Sequence, residues 1–311
     1  MLSFHKSDFL VAIVEGGEYD KRCIYYHDNV NNKNINNVDL FDILNEDEVR
    51  ELKKKMPLKY INELKKAIKT NIEPRDEELK YIYNLVKTKK NNTEIKKIKI
   101  QDEGVIIPII KMDRTDDETV NHQMINGPTG SGKSYIVGRY LSYIVKYRKD
   151  KNIYLFSDVE HDKALDKYKK IKRIILNNEL YENPIKPEEL QNSICIFDDI
   201  DSIADKKIKS AVETLRDSLL KTGRHYGPIE VISTQHLMTD YKNTRVTLSE
   251  SSLITFFIKS GSTNGINYLL KKYIGLNNKQ ISDIYALASR SVSVYKNYPQ
   301  MVISDKEIYI L

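Results

Sequence analysis

The sequence predicts an α/β fold, a mostly parallel sheet with helices on both faces, preceded by a smaller mixed α+β region. Three observations predict it. From about residue 120, strand-like apolar runs alternate with stretches of helical periodicity, the pattern of strands joined by crossover helices. The octapeptide 127-GPTGSGKS-134 stands between a strand-like run and a helical one. Before that the character differs, with short strands, an Asn-rich loop and lysine-rich amphipathic segments. The chain therefore divides into an accessory region, 1–115, and a core, 116–311.

Composition bounds the reading. A chain of 311 residues can bury one large core or two modest ones. With 30% charged residues and no apolar run near the ~20 residues that span a bilayer, membrane insertion is not expected. A net charge of +6 permits nucleic-acid contact without demonstrating it. Cys23 and Cys195 both lie in strand-like runs and read as buried thiols. That points to a reducing compartment, the cytosol or a factory or particle assembled there.

The elements follow in order. The runs 9-FLVAIV-14 and 22-RCIYYH-27 read as strands, the first too short and too closely flanked by Asp8 and Glu15 for a signal-peptide core. After the Asn-rich loop at 29–37, Asn45 and Glu48 have capping-box spacing, and Val49, Leu52 and Met56 repeat on one helical face. Ile61, Leu64 and Ile68 repeat likewise. The segment 98-IKIQDEGVIIPII-110 reads as a hairpin into the core. Core strands are expected near 122–126, 152–156, 194–197, 229–233 and 253–258. A helix after the glycine loop turns Ile136, Val137, Tyr140 and Leu141 inward. A second, over 205–222, buries Ile208, Val212, Leu215 and Leu219 and stops at Gly223. The end, 291–311, reads as short antiparallel strands.

The octapeptide is a phosphate-binding loop, the Walker A pattern in full. Gly127, Gly130 and Gly132, spaced by Pro128, Thr129 and Ser131, let successive backbone N–H groups turn inward at a helix N-terminus, where an anion is held. Lys133 reaches the β- and γ-phosphates of ATP, and the Ser134 hydroxyl ligates Mg²⁺. The strand 194-ICIF-197 ends in Asp198 and Asp199, a Walker B arrangement. Asp198 is placed to hold the magnesium through water, and Asp199 to orient or deprotonate the attacking water. Paired acids favour hydrolysis over transfer to a substrate hydroxyl, and no acceptor site for a small-molecule kinase is evident. Asp201 reads as a solvated turn carboxylate. The strand over 229–233 leads to Gln235, which projects at the γ-phosphate if that strand lies between the other two. His161, His225 and His236 show no metal-ligand spacing.

The order GPTGSGKS, IFDD, then 221-KTGRHYGPIEVISTQH-236 resembles the FtsK–HerA superfamily. It is most similar to its viral branch, the genome-packaging ATPases of nucleocytoplasmic large DNA viruses, the poxvirus type included. The resemblance covers roughly 120–260. The paired aspartates match that branch, whereas FtsK and HerA members usually carry Glu at the second place, which leaves the identity of the base open. The resemblance implies a RecA-like core, a homo-oligomeric, hexameric ring with ATP at subunit boundaries, and an arginine given by the neighbour. Arg224 is the first candidate and Arg245 the second, against surface or capping roles for each. It also implies double-stranded DNA in the pore, with Lys206, Lys207 and Lys209 as contacts or as a solvated helix start, and a capsid or portal protein as partner. The basic run 167-KYKKIKR-173 reads as facing solvent or a subunit boundary, with DNA as the alternative. Two other readings stand beside the motor: a nucleotide-dependent switch or assembly protein, and a cellular HerA-like pump or conjugation ATPase.

Overall fold

The computed structural model describes residues 1–27, 96–112, 120–147, 151–236 and 242–311, with scattered positions, most of them helical, between 62 and 84. The helices expected around 45–56 lie outside the described residues, and of those expected over 61–68 only part is described, with Leu64 buried.

Two sheets organise the chain. The smaller is antiparallel, in the order β1 (Leu2–Ser3), β3 (Cys23–Tyr26), β2 (Phe9–Glu15), β5 (Val105–Met112). The larger begins at one edge with β4 (Lys97–Lys99), β14 (Glu307–Ile310), β13 (Met301–Ser304) and β12 (Ser291–Tyr295). It continues through β11 (Leu253–Phe257), β6 (Gln123–Asn126), β10 (Glu230–Gln235) and β9 (Ser193–Asp198) to β7 (Asn152–Ser157) and β8 (Ile171–Ile174). From β11 to β8 every neighbouring pair is parallel, and from β11 to β4 every pair is antiparallel. The predicted α/β class and the antiparallel end are therefore present.

Alternation along the strands sorts the layers. Ile125, Ile232, Ile194 and Ile196 pack with Val137, Tyr140 and Leu141 of α1 (Lys133–Tyr147). On the opposite face, Val231, Cys195 and Phe197 meet Val212, Leu215 and Leu219 of α3 (Lys206–Thr222), which follows the short α2 (Glu179–Glu182). Farther along that face, Met124, Ile254 and Phe256 pack against Leu248 of α4 (Lys242–Glu250) and Ile266 of α5 (Thr263–Tyr268). Ile281 and Ile284 of α6 (Asn278–Tyr285) complete that cluster.

The small sheet lies on the α1 face and is covered on both sides. Val11, Ala12, Val14, Ile106 and Ile110 pack with Leu253, Tyr295, Met301 and Ile303, while Ile13, Ile107 and Ile109 pack with α1. Double coverage explains why 9-FLVAIV-14 is a continuous apolar run rather than an alternating one. Pro108 stands opposite Ala12, at the irregularity between Leu10 and Ala12, on a strand at the sheet's edge, where a residue without an N–H is tolerated.

One expectation needs correction, and two others gain detail. The segment 98–110 is no hairpin: β4 pairs with β14 in the large sheet and β5 with β2 in the small one. The chain changes sheets at residues 100–104, where Lys306 Nζ donates to the Asp102 carbonyl at 2.8 Å and the Gly104 carbonyl at 2.7 Å. Two apolar runs around a polar turn look alike whether the turn folds them together or passes one to another layer. Gly223 ends α3 without a left-handed turn (φ −54°), and the chain continues as a 3₁₀ turn over Gly223–Tyr226. Glycine serves close approach there, since a Cβ would stand 3.2 Å from the Ile229 carbonyl oxygen. The basic run 167–173 is half strand, because Ile171–Ile174 forms the edge strand β8. Charged residues on such an edge discourage further pairing.

Candidate nucleotide site

The loop 127–132 joins β6 to α1 at the carboxyl ends of the parallel strands, the end at which open α/β sheets bind ligands. Gly132 has φ +108°, which an L side chain would strain. Gly127 is pinned from behind: a Cβ would lie 2.5 Å from Phe257 Cδ2 and 2.6 Å from Ser131 Oγ. Its N–H donates to the Gln235 carbonyl at 3.0 Å, which ties the loop to the next strand. Ser131 is 4% exposed, and its Oγ has no hydrogen-bond partner among the described residues. Such an unmatched buried donor at a helix N-terminus suits an anionic ligand.

Lys133 is 5% exposed and bends back over the loop. Its ammonium donates to the Gly127 carbonyl at 3.0 Å and sits 3.2 Å from Asp199 Oδ1. The loop lysine and the second strand acid, predicted to share a site, are thus in contact across 66 residues of sequence.

Strand β9 delivers the acids. Asp198, its last residue, is 4% exposed and accepts from Thr234 Oγ1 at 2.8 Å. Burial pushes its carboxyl up to about 6; the Thr234 hydrogen bond opposes the shift and the neighbouring Asp199 charge adds to it. Asp199 adopts a left-handed backbone (φ +47°), a strained state for a non-glycine residue. The turn aims its carboxylate away from the strand axis, and its N–H donates to Thr234 Oγ1 at 2.8 Å. Thr234 thereby touches both acids, reaching Asp199 Oδ1 at 3.1 Å as well.

Strand β10 lies between β6 and β9, the premise on which Gln235 was assigned. Its side chain nevertheless goes the other way. Successive strand residues face opposite sides, so Thr234 joins the acids on the α1 face while Ser233 and Gln235 face α4. The Gln235 amide donates to Thr247 Oγ1 at 3.2 Å, and its Oε1 is buried without a partner among the described residues. Only the main chain of Gln235 meets the phosphate loop. Thr234, which the sequence reading passed over, occupies the place expected of the amide; its position one residue before Gln235 on an alternating strand was the available signal.

Asp201 and His236 also differ from expectation. Asp201 is no free turn carboxylate: it accepts from the His236 N–H at 3.0 Å and faces the ring Nδ1 at 3.0 and 3.1 Å. The opposite ring nitrogen lies 3.4 Å from Asp199 Oδ2 and 3.3 Å from Thr129 Oγ1. Asp199, Asp201 and His236 offer ligand atoms within 4.8 Å of one another, an arrangement that no sequence spacing advertises because His236 comes from a different segment than the two acids.

The remaining predicted residues scatter. Arg224 is exposed on the 3₁₀ turn before β10, its Nε 3.3 Å from His225 Nε2. Arg245 is exposed on α4. Lys209 donates to the Asp201 carbonyl at 2.6 Å, and Lys207 lies 5.5 Å from the centre of the Tyr181 ring; Lys206 is exposed. Among the described residues no helix is long and apolar enough to cross a membrane.

Residues suited to Mg²⁺ are Ser134, on the first turn of α1, and Asp198. An oxygen donor pair with a buried carboxylate, whose ionised form a dication would stabilise, fits a hard cation. The loop, the strand acids and the parallel sheet together make this an α/β P-loop NTPase fold.

No family model matches the chain. A 35% identity over 191 residues links it to the uncharacterized protein V3 of Sputnik virophage, covering 58% of this chain and 73% of that protein. Among solved structures it is similar to the genome packaging NTPase B204 of Sulfolobus turreted icosahedral virus 2, with 14% identity and a TM-score of 0.43 over 62% of this chain and 97% of that one. It is also similar to the cytoplasmic domain of the type VII secretion ATPase EccC of Thermomonospora curvata, with 11% identity and a TM-score of 0.42 over 64% of this chain and 27% of that one.

Proposed function

The chain belongs to the family of the virophage protein V3, and from that premise we propose that it is an ATP-hydrolysing motor that moves double-stranded DNA into a virus particle. One observation carries the hydrolytic part: Lys133, Asp199 and the buried Asp198 meet at the carboxyl ends of the parallel strands β6 and β9, with Thr234 of β10 between them. Lys133 binds the β- and γ-phosphates, Ser134 and Asp198 hold Mg²⁺, and Asp199 orients the attacking water. Thr234 fixes both acids.

The motor part rests on the motif order read from the sequence and on the place of Arg224. Arg224 precedes β10, while the phosphate loop stands at the far end of that strand. The six residues of β10 span about 20 Å at ~3.3 Å each, too far for the arginine to reach its own site. An arginine so placed serves a neighbour's nucleotide or none. On this reading the chain works as a hexameric ring, with 116–311 as the ATPase core and 1–115 as the accessory region. Lys206 and Lys207, exposed at the start of α3, contact DNA phosphates. Arg245 is the second candidate for the donated arginine, and the ring docks on a capsid or portal protein in the viral factory or virion.

Phosphate release tests the reading. Wild type should hydrolyse ATP faster with duplex DNA, and added salt should weaken the stimulation. Arg224→Ala should bind ATP but turn over at least tenfold more slowly, and mixing it with Asp199→Asn subunits should restore part of the rate. Turnover indifferent to DNA defeats the motor, and mixtures with no recovery at any ratio defeat the donated Arg224.

A further inference from the structure

We propose that His236 is a positioning residue for hydrolysis, holding Asp199 and Thr129 through an imidazole that Asp201 fixes in place. The inference deepens the hydrolytic reading above and rests on it. One ring joins the tip of the phosphate loop to the turn after β9, where it meets Asp199 and, two residues on, Asp201. Asp201 receives both the backbone N–H of His236, at 3.0 Å, and the ring Nδ1, at 3.0 and 3.1 Å. A carboxylate can only accept, so Nδ1 carries a proton. The Asp199 carboxylate also only accepts, so Nε2 holds Asp199 Oδ2, at 3.4 Å, as an N–H donor, with the Thr129 hydroxyl oxygen at 3.3 Å as a second acceptor.

Competition for Lys133 makes this contact matter. Asp199 Oδ1 rests on Lys133 at 3.2 Å and on Thr234 at 3.1 Å. Phosphate oxygens draw the same ammonium, and an ammonium drawn to them weakens its hold on the carboxylate. Thr234 on one oxygen and His236 beside the other then govern where Asp199 points. Asp199 sits on a left-handed backbone, so its aim depends on such side-chain partners more than a strand residue's would. Asp201 is itself braced, its carbonyl accepting from Lys209 on the first turn of α3 at 2.6 Å.

Steady-state ATP hydrolysis by the full chain, with ATP-binding affinity measured alongside, tests the proposal. His236→Ala and Asp201→Asn should each lower kcat at least tenfold and leave KM within about threefold. The double variant should be no slower than the worse single one, because the pair acts as a unit. His236→Gln places an amide where Nε2 stood and should recover at least threefold over alanine. His236→Asn mimics only the Nδ1 side and should stay with alanine. Equal rates for the Gln and Asn variants, or wild-type kcat in all of them, overturn the inference; if the alanine variant does not fold, the Gln and Asn pair decides. The two levels separate cleanly: no hydrolysis by wild type sinks the functional reading, whereas an active wild type, a dead Lys133→Ala and fully active His236 variants sink the positioning role alone.

Discussion

The two ends of the parallel strands are built on opposite terms. At the amino ends the chain satisfies most of its own buried polar groups, Ser251 Oγ being an exception among the described residues. His122 is 6% exposed, its Nδ1 accepts from the Val231 N–H at 3.1 Å, and its ring also hydrogen-bonds the Leu220 carbonyl. Its carbonyl takes the N–H groups of Ser252 and Leu253 at 3.0 and 3.2 Å. Lys151 donates to the Pro228 carbonyl at 2.8 Å and pairs with buried Glu230 at 3.7 Å. At the carboxyl ends Asp198 is buried beside a second acid, Asp199 is on a strained backbone, Lys133 folds onto its own loop, and Ser131 Oγ is unmatched. One sheet thus has an end that closes the fold and an end at which stability is given up for chemistry, as expected where function and folding compete.

The largest effect should come from substitutions that separate these ends by what they damage. Lys133→Ala should reduce ATP turnover to background, a loss beyond 10³-fold given the charge it supplies to the phosphates. It should shift the melting temperature by only a few degrees, because it removes one partly shielded pair. His122→Ala should do the reverse. It leaves the Val231 N–H buried without its partner, takes a hydrogen bond from the Leu220 carbonyl and costs roughly 2–4 kcal/mol. Turnover per folded molecule should stay within about twofold. Thermal unfolding and phosphate release on the same preparations check both, and a His122 variant that folds normally but cannot hydrolyse would erase the contrast.

The sequence made the carboxyl end legible in proportion to how local its chemistry is. The loop is one contiguous octapeptide with its lysine inside it, and the acid pair is contiguous too, so Lys133, Asp198 and Asp199 could be assigned from spacing alone. Residues whose role depends on strand parity were harder. Gln235 and Thr234 are neighbours, and only the register of β10 against β6 and β9 decides which faces the acids. His236 and Asp201 could not be paired from sequence, since 35 residues and a crossover helix separate them. At the amino end His122 looked like an ordinary strand residue, because its partners are backbone groups, which carry no residue identity. The positions of the core strands were legible from hydrophobic runs, but the sheet change at 100–104 was not, for apolar runs record burial and not the layer that provides it.

A smaller and more discriminating effect follows from protons, in protein freed of nucleotide and magnesium. Burial lowers His122 from the ordinary 6.5 to about 4, so between those values the unfolded chain binds more protons and stability falls as pH falls. Asp198 is raised from 3.8 to about 6, so over nearly the same window the folded chain binds more protons and stability rises as pH falls. Each shift is worth at most about 3–3.5 kcal/mol at ~1.4 kcal/mol per unit, and the two oppose. Asp198→Asn keeps an oxygen for Thr234 to donate to while removing the charge. It should raise stability at pH 7.5 by about 1–3 kcal/mol and abolish turnover. It should also steepen the loss of stability between pH 6.5 and 4, because His122 then acts without its counterweight. Urea unfolding at a series of pH values reads both quantities. A wild-type profile already as steep as the variant's would mean that Asp198 is as well solvated as a surface carboxylate, and the carboxyl end would then hold no stored cost for a bound cation to relieve.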